Sequence, residues 1–234
     1  MLHAIRHRGP DDEGLIFISD SSPGCQVFGG QDTPAAVYEA PLPYAPRKAL
    51  QQDHQVAAHL ALGHRRLSIL DLTPTGHQPM TTTDGRFWIV FNGEIYNYQE
   101  LRQELIKSGR VFISGSDTEV LLQGYAQWGT EVFSRLIGMF AFALYDRQQR
   151  ELILARDFFG IKPLYYTLLP HGMAFASEIK ALCALPEIDR RANPQRVFDY
   201  LRFGLTDYGH ETLWSEIHQI PPAHYLIVPW EQNG

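Results

Sequence analysis

Short apolar runs separated by turn residues mark most of the chain after residue 85. Arg86–Asn92 (RFWIVFN) is apolar at consecutive positions, the pattern of a strand covered on both faces. Gly138–Tyr145 and Glu151–Arg156 flank the polar Asp146–Arg150, a connector of hairpin length. Leu164–Leu168 and Met173–Ala176 repeat that arrangement around Pro170–Gly172, and Tyr225–Val228 supplies a last strand. Helical spacing occurs in three places. Asn97 is placed to cap Tyr98–Ser108, where Leu101, Leu105 and Ile106 make one apolar stripe before Gly109. Ser116-Asp117-Thr118-Glu119 has the form of a capping box opening a helix to about Trp128, with Val120, Leu121 and Tyr125 facing inward. Asn193-Pro194 starts another helix, with proline at its favoured first position. Sequential hairpins with helices between them predict an α+β fold with a largely antiparallel sheet and more than two layers. The segment Ser19–His54 departs from this pattern. It holds five of the 15 prolines and no sustained period, and it reads as a long surface loop or insertion, either passive or a contacting flap.

Composition narrows the classes of function. With 234 residues, 44% of them hydrophobic and 20% charged, the chain has the make-up of an ordinary globule. Net charge is −6 with no Lys/Arg block, which argues against nucleic acid as a partner. The longest apolar run, Leu136–Tyr145, falls well short of the roughly 20 residues a membrane span needs, and the start does not resemble a signal peptide. A cytoplasmic protein with no membrane contact is the default. Cys25 and Cys183 are too few for a disulfide framework and lack metal-ligand spacing. His3 and His7 have helical spacing, but no further ligands accompany them, so no metal site is expected.

Four polar motifs interrupt the apolar pattern. His7-Arg8-Gly9-Pro10-Asp11-Asp12-Glu13-Gly14 is, by itself, a surface turn with a solvated charge run. In Gly63-His64-Arg65-Arg66-Leu67-Ser68-Ile69-Leu70-Asp71, two arginines lead into an apolar, strand-like run, so at least one guanidinium sits near a buried environment. Such a fork either holds a ligand carboxylate or makes an internal ion pair with Asp71 or Glu94. Asn92-Gly93-Glu94 ends the buried strand without a second strand following. An Asn92 side-chain amide beside a Gly93 N–H would give two donors on one side of a pocket, the requirement of an oxyanion hole. In Gly115–Glu119 the cap accounts for Ser116 and Glu119 but leaves Asp117 for a ligand ammonium group or for the helix dipole. Together these supply holders for a carboxylate and an ammonium, and two oxyanion donors. Glutamine is a ligand that uses all of them.

The ordered set HRGPDD, GHRRLSILDL, GHQPM, FNGEIYN, GSDTE, GMFAFALYD, ARDFFGIKPLYY and ASEIKAL closely resembles the glutamine amidotransferase part of glutamine-dependent asparagine synthetases, a class II, N-terminal-nucleophile domain. The resemblance runs from His7 to about Pro229 (domain 1–229), with 19–54 as an insertion and 230–234 beginning the link to a synthetase domain. It implies a four-layer αββα sandwich of two mainly antiparallel sheets. It also implies that Arg66 binds the glutamine α-carboxylate, with Leu67, Ser68, Ile69 and Leu70 lining the pocket. Asn92 and Gly93 would form the oxyanion hole, Glu94 and Asp117 would bind the α-amino group, and Arg8 and Gly9 would form the loop near the nucleophile. Arg156–Tyr166 is expected as a structural strand pair near the synthetase interface. The family's nucleophile is a cysteine at the mature N-terminus, on a central strand. Relative to that pattern the chain is expected to lack the first strand and its cysteine, and to be inactive by itself and poorly soluble or self-associating. No cofactor is expected in this chain. ATP and magnesium would serve the synthetase domain, whose Ser-Gly-Gly-x-Asp-Ser loop is not in the sequence. Expected partners are glutamine and that domain, with a homodimer left open. The alternatives are a noncatalytic glutamine-binding module or an amidotransferase part with a different acceptor.

Overall fold

The computed structural model describes residues 1–20, 24–50, 56–206 and 208–230. Its centre is a five-stranded antiparallel sheet in the order β11-β7-β6-β5-β4: β4 (Met80–Thr81), β5 (Phe87–Ile95), β6 (Gly138–Asp146), β7 (Glu151–Arg156) and β11 (Tyr225–Pro229). The continuous apolar sequence of β5 has its physical cause here, since Phe87–Phe91 are buried without alternation. On one side lie helices α2 (Tyr98–Lys107) and α3 (Asp117–Trp128), with α3 packed on β5 and α2 packed on α3. Residues Asp117–Gly124 of α3 are all buried.

Two smaller antiparallel sheets complete the chain. One has the order β2-β1-β3, from β1 (Asp12–Ile18), β2 (Cys25–Gly29) and β3 (Leu60–Arg66). The other has the order β10-β8-β9, from β8 (Tyr165–Leu169), β9 (Gly172–Ala176) and β10 (His218–Gln219). Short helices α1 (Ala35–Glu39) and α4 (Ile179–Leu182) and the longer α5 (Pro194–Phe203) lie outside the sheets. Three sheets therefore stand where two were expected. Edge strands β3 and β9 both border one cavity of about 1130 Å³, together with Val90–Glu94 of β5 and Ala141–Ala143 of β6. A 3₁₀ segment, Leu2–Arg8, packs against β3 and α4.

Several expectations need correction. The segment 19–54 is not a surface loop where it is described. It contains β2 and α1, and it buries Phe28, Val37, Leu42 and Tyr44. Its residues 21–23 and 51–54 lie outside the described residues. The apolar run after Arg66 is not a strand. β3 ends at Arg66, and Leu67 and Ile69 stand in a bend 56% and 70% exposed. Arg156 and Tyr165 belong to strands of different sheets, so 156–166 links two sheets and is no strand pair. Asp157 fastens that link by accepting from the amides of Phe159, Ile161 and Lys162. Asn97 does not cap α2 with its side chain, because its amide bridges to Arg135 O and Ile137 N instead. Ile106 is exposed and leaves the apolar stripe to Leu101 and Leu105. Only half of the capping box forms. Ser116 accepts from Glu119 N, whereas Glu119 reaches Ile113 N and Ser114 N rather than Ser116 N. Asn193 caps α5 as expected, accepting from Gln195 N and Arg196 N.

Candidate functional site

The cavity collects residues from four motifs. Arg66, Leu67, Ile69, Leu70, Asn92, Gly93, Glu94, Asp117 and Arg8 all line it. Ser68 and Gly9 do not. Ser68 N donates to Asp11 Oδ2 at 2.8 Å, and Gly9 is packed behind the cavity wall with its carbonyl accepting from Arg65 Nε at 3.0 Å. Arg8 is exposed and lies 3.5 Å from Glu178.

Strand alternation sends Arg65 and Arg66 to opposite sides of β3. Arg65 is buried and fully engaged, by Glu13 at 2.9 Å, Asp32 at 2.5 Å and the Gly9 carbonyl. Arg66 is 9% exposed, and among the described residues it has no salt-bridge partner. Its guanidinium donates to the backbone carbonyls of Asp71 and Thr73, the latter at 3.1 Å. The internal ion pair with Asp71 or Glu94 is therefore not formed. Asp71 uses its carboxylate on Thr73, Thr75 and Gly115 N. Burial pulls the Arg66 pKa down from its ordinary value, partly offset by the fields of Asp12 and Asp71. A desolvated cation with N–H groups left to donate and no ion-pair partner among the described residues can receive an anion.

Opposite in sign is the pair Glu94 and Asp117. Asp117 is buried at the first turn of α3 and accepts from Ile95 N at 2.9 Å. Burial raises its pKa, the backbone N–H groups of Ile95 and Thr118 oppose that, and the Glu94 charge raises it further. Neither acid has a cation partner among the described residues. Asn92 and Glu94 sit in β5 opposite Ala141 and Met139, so the strand continues past Asn92 to Ile95. The Asn92 side-chain amide bonds to no described residue. Gly93 has a packing reason as well, since a Cβ there would collide with the Met139 carbonyl oxygen and Phe140 Cα.

Sequence reasoning missed Gln78, which also lines the cavity. Its buried amide accepts from Phe91 N at 2.7 Å and donates to Thr118 Oγ1 at 3.3 Å, tying β5 to α3 just beside Asn92 and Asp117. The signal was present in GHQPM, a motif given no role above. His64 also lines the cavity, its pKa pushed down to about 3, chiefly by burial, with His77, Arg66 and Arg65 adding to that and Asp12 opposing it. Neither cysteine lines the cavity. Cys25 stands in β2 with its thiol pKa raised by burial, the opposite of activation, and Cys183 follows α4.

Antiparallel sheets with flanking helices define a mixed α+β domain with a large, partly polar-lined cavity. The fold matches solved structures titled glutamine phosphoribosylpyrophosphate amidotransferase from B. subtilis (TM-score 0.65, 20% identity, 97% of this chain and 43% of that one) and the allosteric regulatory enzyme of purine biosynthesis (TM-score 0.61, 22% identity, with the same coverage). The glutamine amidotransferase domain model matches residues 29–234, and the chain belongs to that family, in its class II branch related to asparagine synthetase. Similar curated proteins include asparagine synthetase [glutamine-hydrolyzing] 1 of Bacillus subtilis, 49% identical over 73% of this chain and 26% of that protein. A putative asparagine synthetase [glutamine-hydrolyzing] of Mycobacterium tuberculosis is 42% identical over 80% of the chain and 24% of its own length. Amidase chry2 of Gibberella zeae is 37% identical over 72% and 24%. The chain thus spans about a quarter of the length of these relatives.

Proposed function

We propose that the cavity binds glutamine, and that the domain is the ammonia-supplying part of an enzyme that makes asparagine from aspartate. The observation that carries this is the buried Arg66, set in the same cavity as Glu94 and Asp117, with neither the cation nor the acids ion-paired among the described residues. In this reading Arg66 takes the α-carboxylate in a bidentate fork, and Glu94 and Asp117 take the α-ammonium group. The side-chain amide then reaches Asn92 and Gly93. A thiolate attacking the amide carbon would place negative charge on the carbonyl oxygen, where these donors stabilise it. Ammonia leaves, and water hydrolyses the resulting thioester to glutamate.

The thiol belongs, in this proposal, on an extended segment pairing between β3 and β9, which would join the two small sheets into one and complete a four-layer αββα sandwich. Neither cysteine of this chain stands there, so the 234-residue chain is expected to bind glutamine without hydrolysing it. No group of three His, Cys, Asp or Glu side chains among the described residues could hold a metal ion. In this proposal ATP and magnesium act in an attached synthetase domain, and no step here runs through them. The position of both cysteines also favours a second reading, a noncatalytic glutamine-binding module. Calorimetry with L-glutamine and an ammonia-release assay on the same preparation test these readings. Saturable binding with no ammonia is expected. Absence of binding would remove the glutamine reading, and ammonia release by this chain would overturn the placement of the thiol.

A further inference from the structure

The loop that grips Arg66 is held from behind by a residue distant in sequence. Tyr44 is 0% exposed, and its phenol donates to the Thr75 carbonyl oxygen at 2.7 Å. Thr75 lies in the turn 71–76, whose Asp71 and Thr73 carbonyls accept the Arg66 guanidinium. That turn is closed by its own bonds. Asp71 Oδ1 accepts from Thr73 N and Thr73 Oγ1, Asp71 Oδ2 accepts from Thr75 Oγ1, and Gly76 N donates to Thr73 O. Gly76 packs so closely on Arg66 that a Cβ there would collide with Nη2. The turn and the guanidinium are thus bonded and packed together. Asp71 pins it on one side to Gly115 N at 3.3 Å, and Tyr44 pins it on the other. Burial, with Glu119 and Asp71 adding to it, raises the phenol pKa far above its ordinary value, so the group remains a donor at every working pH.

We propose that Tyr44 is a positioning residue for carboxylate recognition: acting through Thr75 and the 71–76 turn, it fixes where the Arg66 guanidinium points into the cavity. The segment 24–50, part of the 19–54 stretch read in the sequence as a loop or insertion, either passive or a contacting flap, then sets the specificity of the site for a free α-carboxylate. This rests on the reading of the cavity as a glutamine site. A phenylalanine at position 44 would fill the same volume but leave the Thr75 carbonyl without its donor, and the turn would lose its anchor on that side.

The test is calorimetric titration of the 234-residue chain with L-glutamine and with its α-methyl ester, which keeps the ammonium and amide groups but not the carboxylate charge. The unaltered chain should prefer glutamine. Tyr44→Phe should weaken glutamine binding roughly tenfold, about 1.4 kcal/mol, while ester binding stays within about twofold. Phe28→Leu, a core change in the same segment, should lower Tm and leave the glutamine-to-ester ratio intact. Should Tyr44→Phe not fold, Tyr44→Leu removes the same phenol donor from the Thr75 carbonyl and is expected to narrow the ratio likewise. An unchanged ratio in a folded Tyr44→Phe or Tyr44→Leu protein would overturn the proposal, as would a ratio that Phe28→Leu shifts equally. If the unaltered chain binds neither compound, the glutamine reading itself fails and this inference falls with it.

Discussion

Arg65 and Arg66 are consecutive residues of one strand, equally buried, and opposite in their electrostatic circumstances. Arg65 meets Glu13, Asp32 and a backbone carbonyl, so its charge is neutralised inside the molecule. Arg66 meets only the carbonyl dipoles of a turn, and burial depresses its pKa. Removing one member of a paired cluster strands its partners. Removing an unpaired buried cation relieves a cost to the fold and deletes a place for an anion. On the proposed reading, the difference separates an arginine that holds the fold from one that receives a ligand.

The comparison can be broken by substitution. The largest expected effect is on Arg65→Leu, which leaves Glu13 without its cation and Asp32 with Arg6 alone; unfolding by urea should show the greatest stability loss among these substitutions. Per folded molecule, its glutamine affinity should change little. Arg66→Leu should do the reverse, leaving stability within about 1 kcal/mol and costing about 3 kcal/mol of glutamine binding, roughly a hundredfold, by calorimetry. A stability loss in Arg66→Leu as large as that of Arg65→Leu would erase the distinction.

Asp117→Asn sharpens the picture with a smaller effect of mixed sign. The folded pKa of Asp117 is raised, so the folded state holds its proton over a range where the unfolded chain has released it. That contribution favours folding at low pH and is lost as pH rises through the folded value. Glutamine needs the ionised form, so affinity should rise over the same range. Asp117→Asn should abolish this pH dependence, weaken glutamine binding about tenfold and leave Tm at neutral pH unchanged or slightly higher. The smallest expected effect belongs to Ile69→Ser. The side chain is mostly exposed in the bend, and its loss should stay within about 0.5 kcal/mol in a urea titration.

What the sequence reveals follows from how local each cause is. The β6–β7 and β8–β9 hairpins, β11 and helices α2, α3 and α5 were legible because their periods and turns lie within a dozen residues. Sheet β2-β1-β3 was not. Its first strand begins with Asp12, a buried acid whose carboxylate is held by Glu13 N and, from a segment distant in sequence, by His77 at 2.7 Å. Leu67–Leu70 misled in the other direction, as an apolar run that lines a cavity from an exposed bend. At the site, motif resemblance named Arg8, Arg66, Leu67, Ile69, Leu70, Asn92, Gly93, Glu94 and Asp117, which border the cavity, and Ser68 and Gly9, which do not. Which arginine is paired, that Gln78 ties β5 to α3 and that Tyr44 bonds the Thr75 carbonyl all depend on contacts between distant segments that no local pattern encodes.

Side-chain NMR of ¹⁵N-arginine-labelled protein tests the central contrast most directly. On addition of L-glutamine, the Arg66 guanidinium resonances should shift and become protected from exchange, while those of Arg65 stay where they were. An Arg66 signal indifferent to saturating glutamine, or one that moves no more than Arg65, would contradict the account.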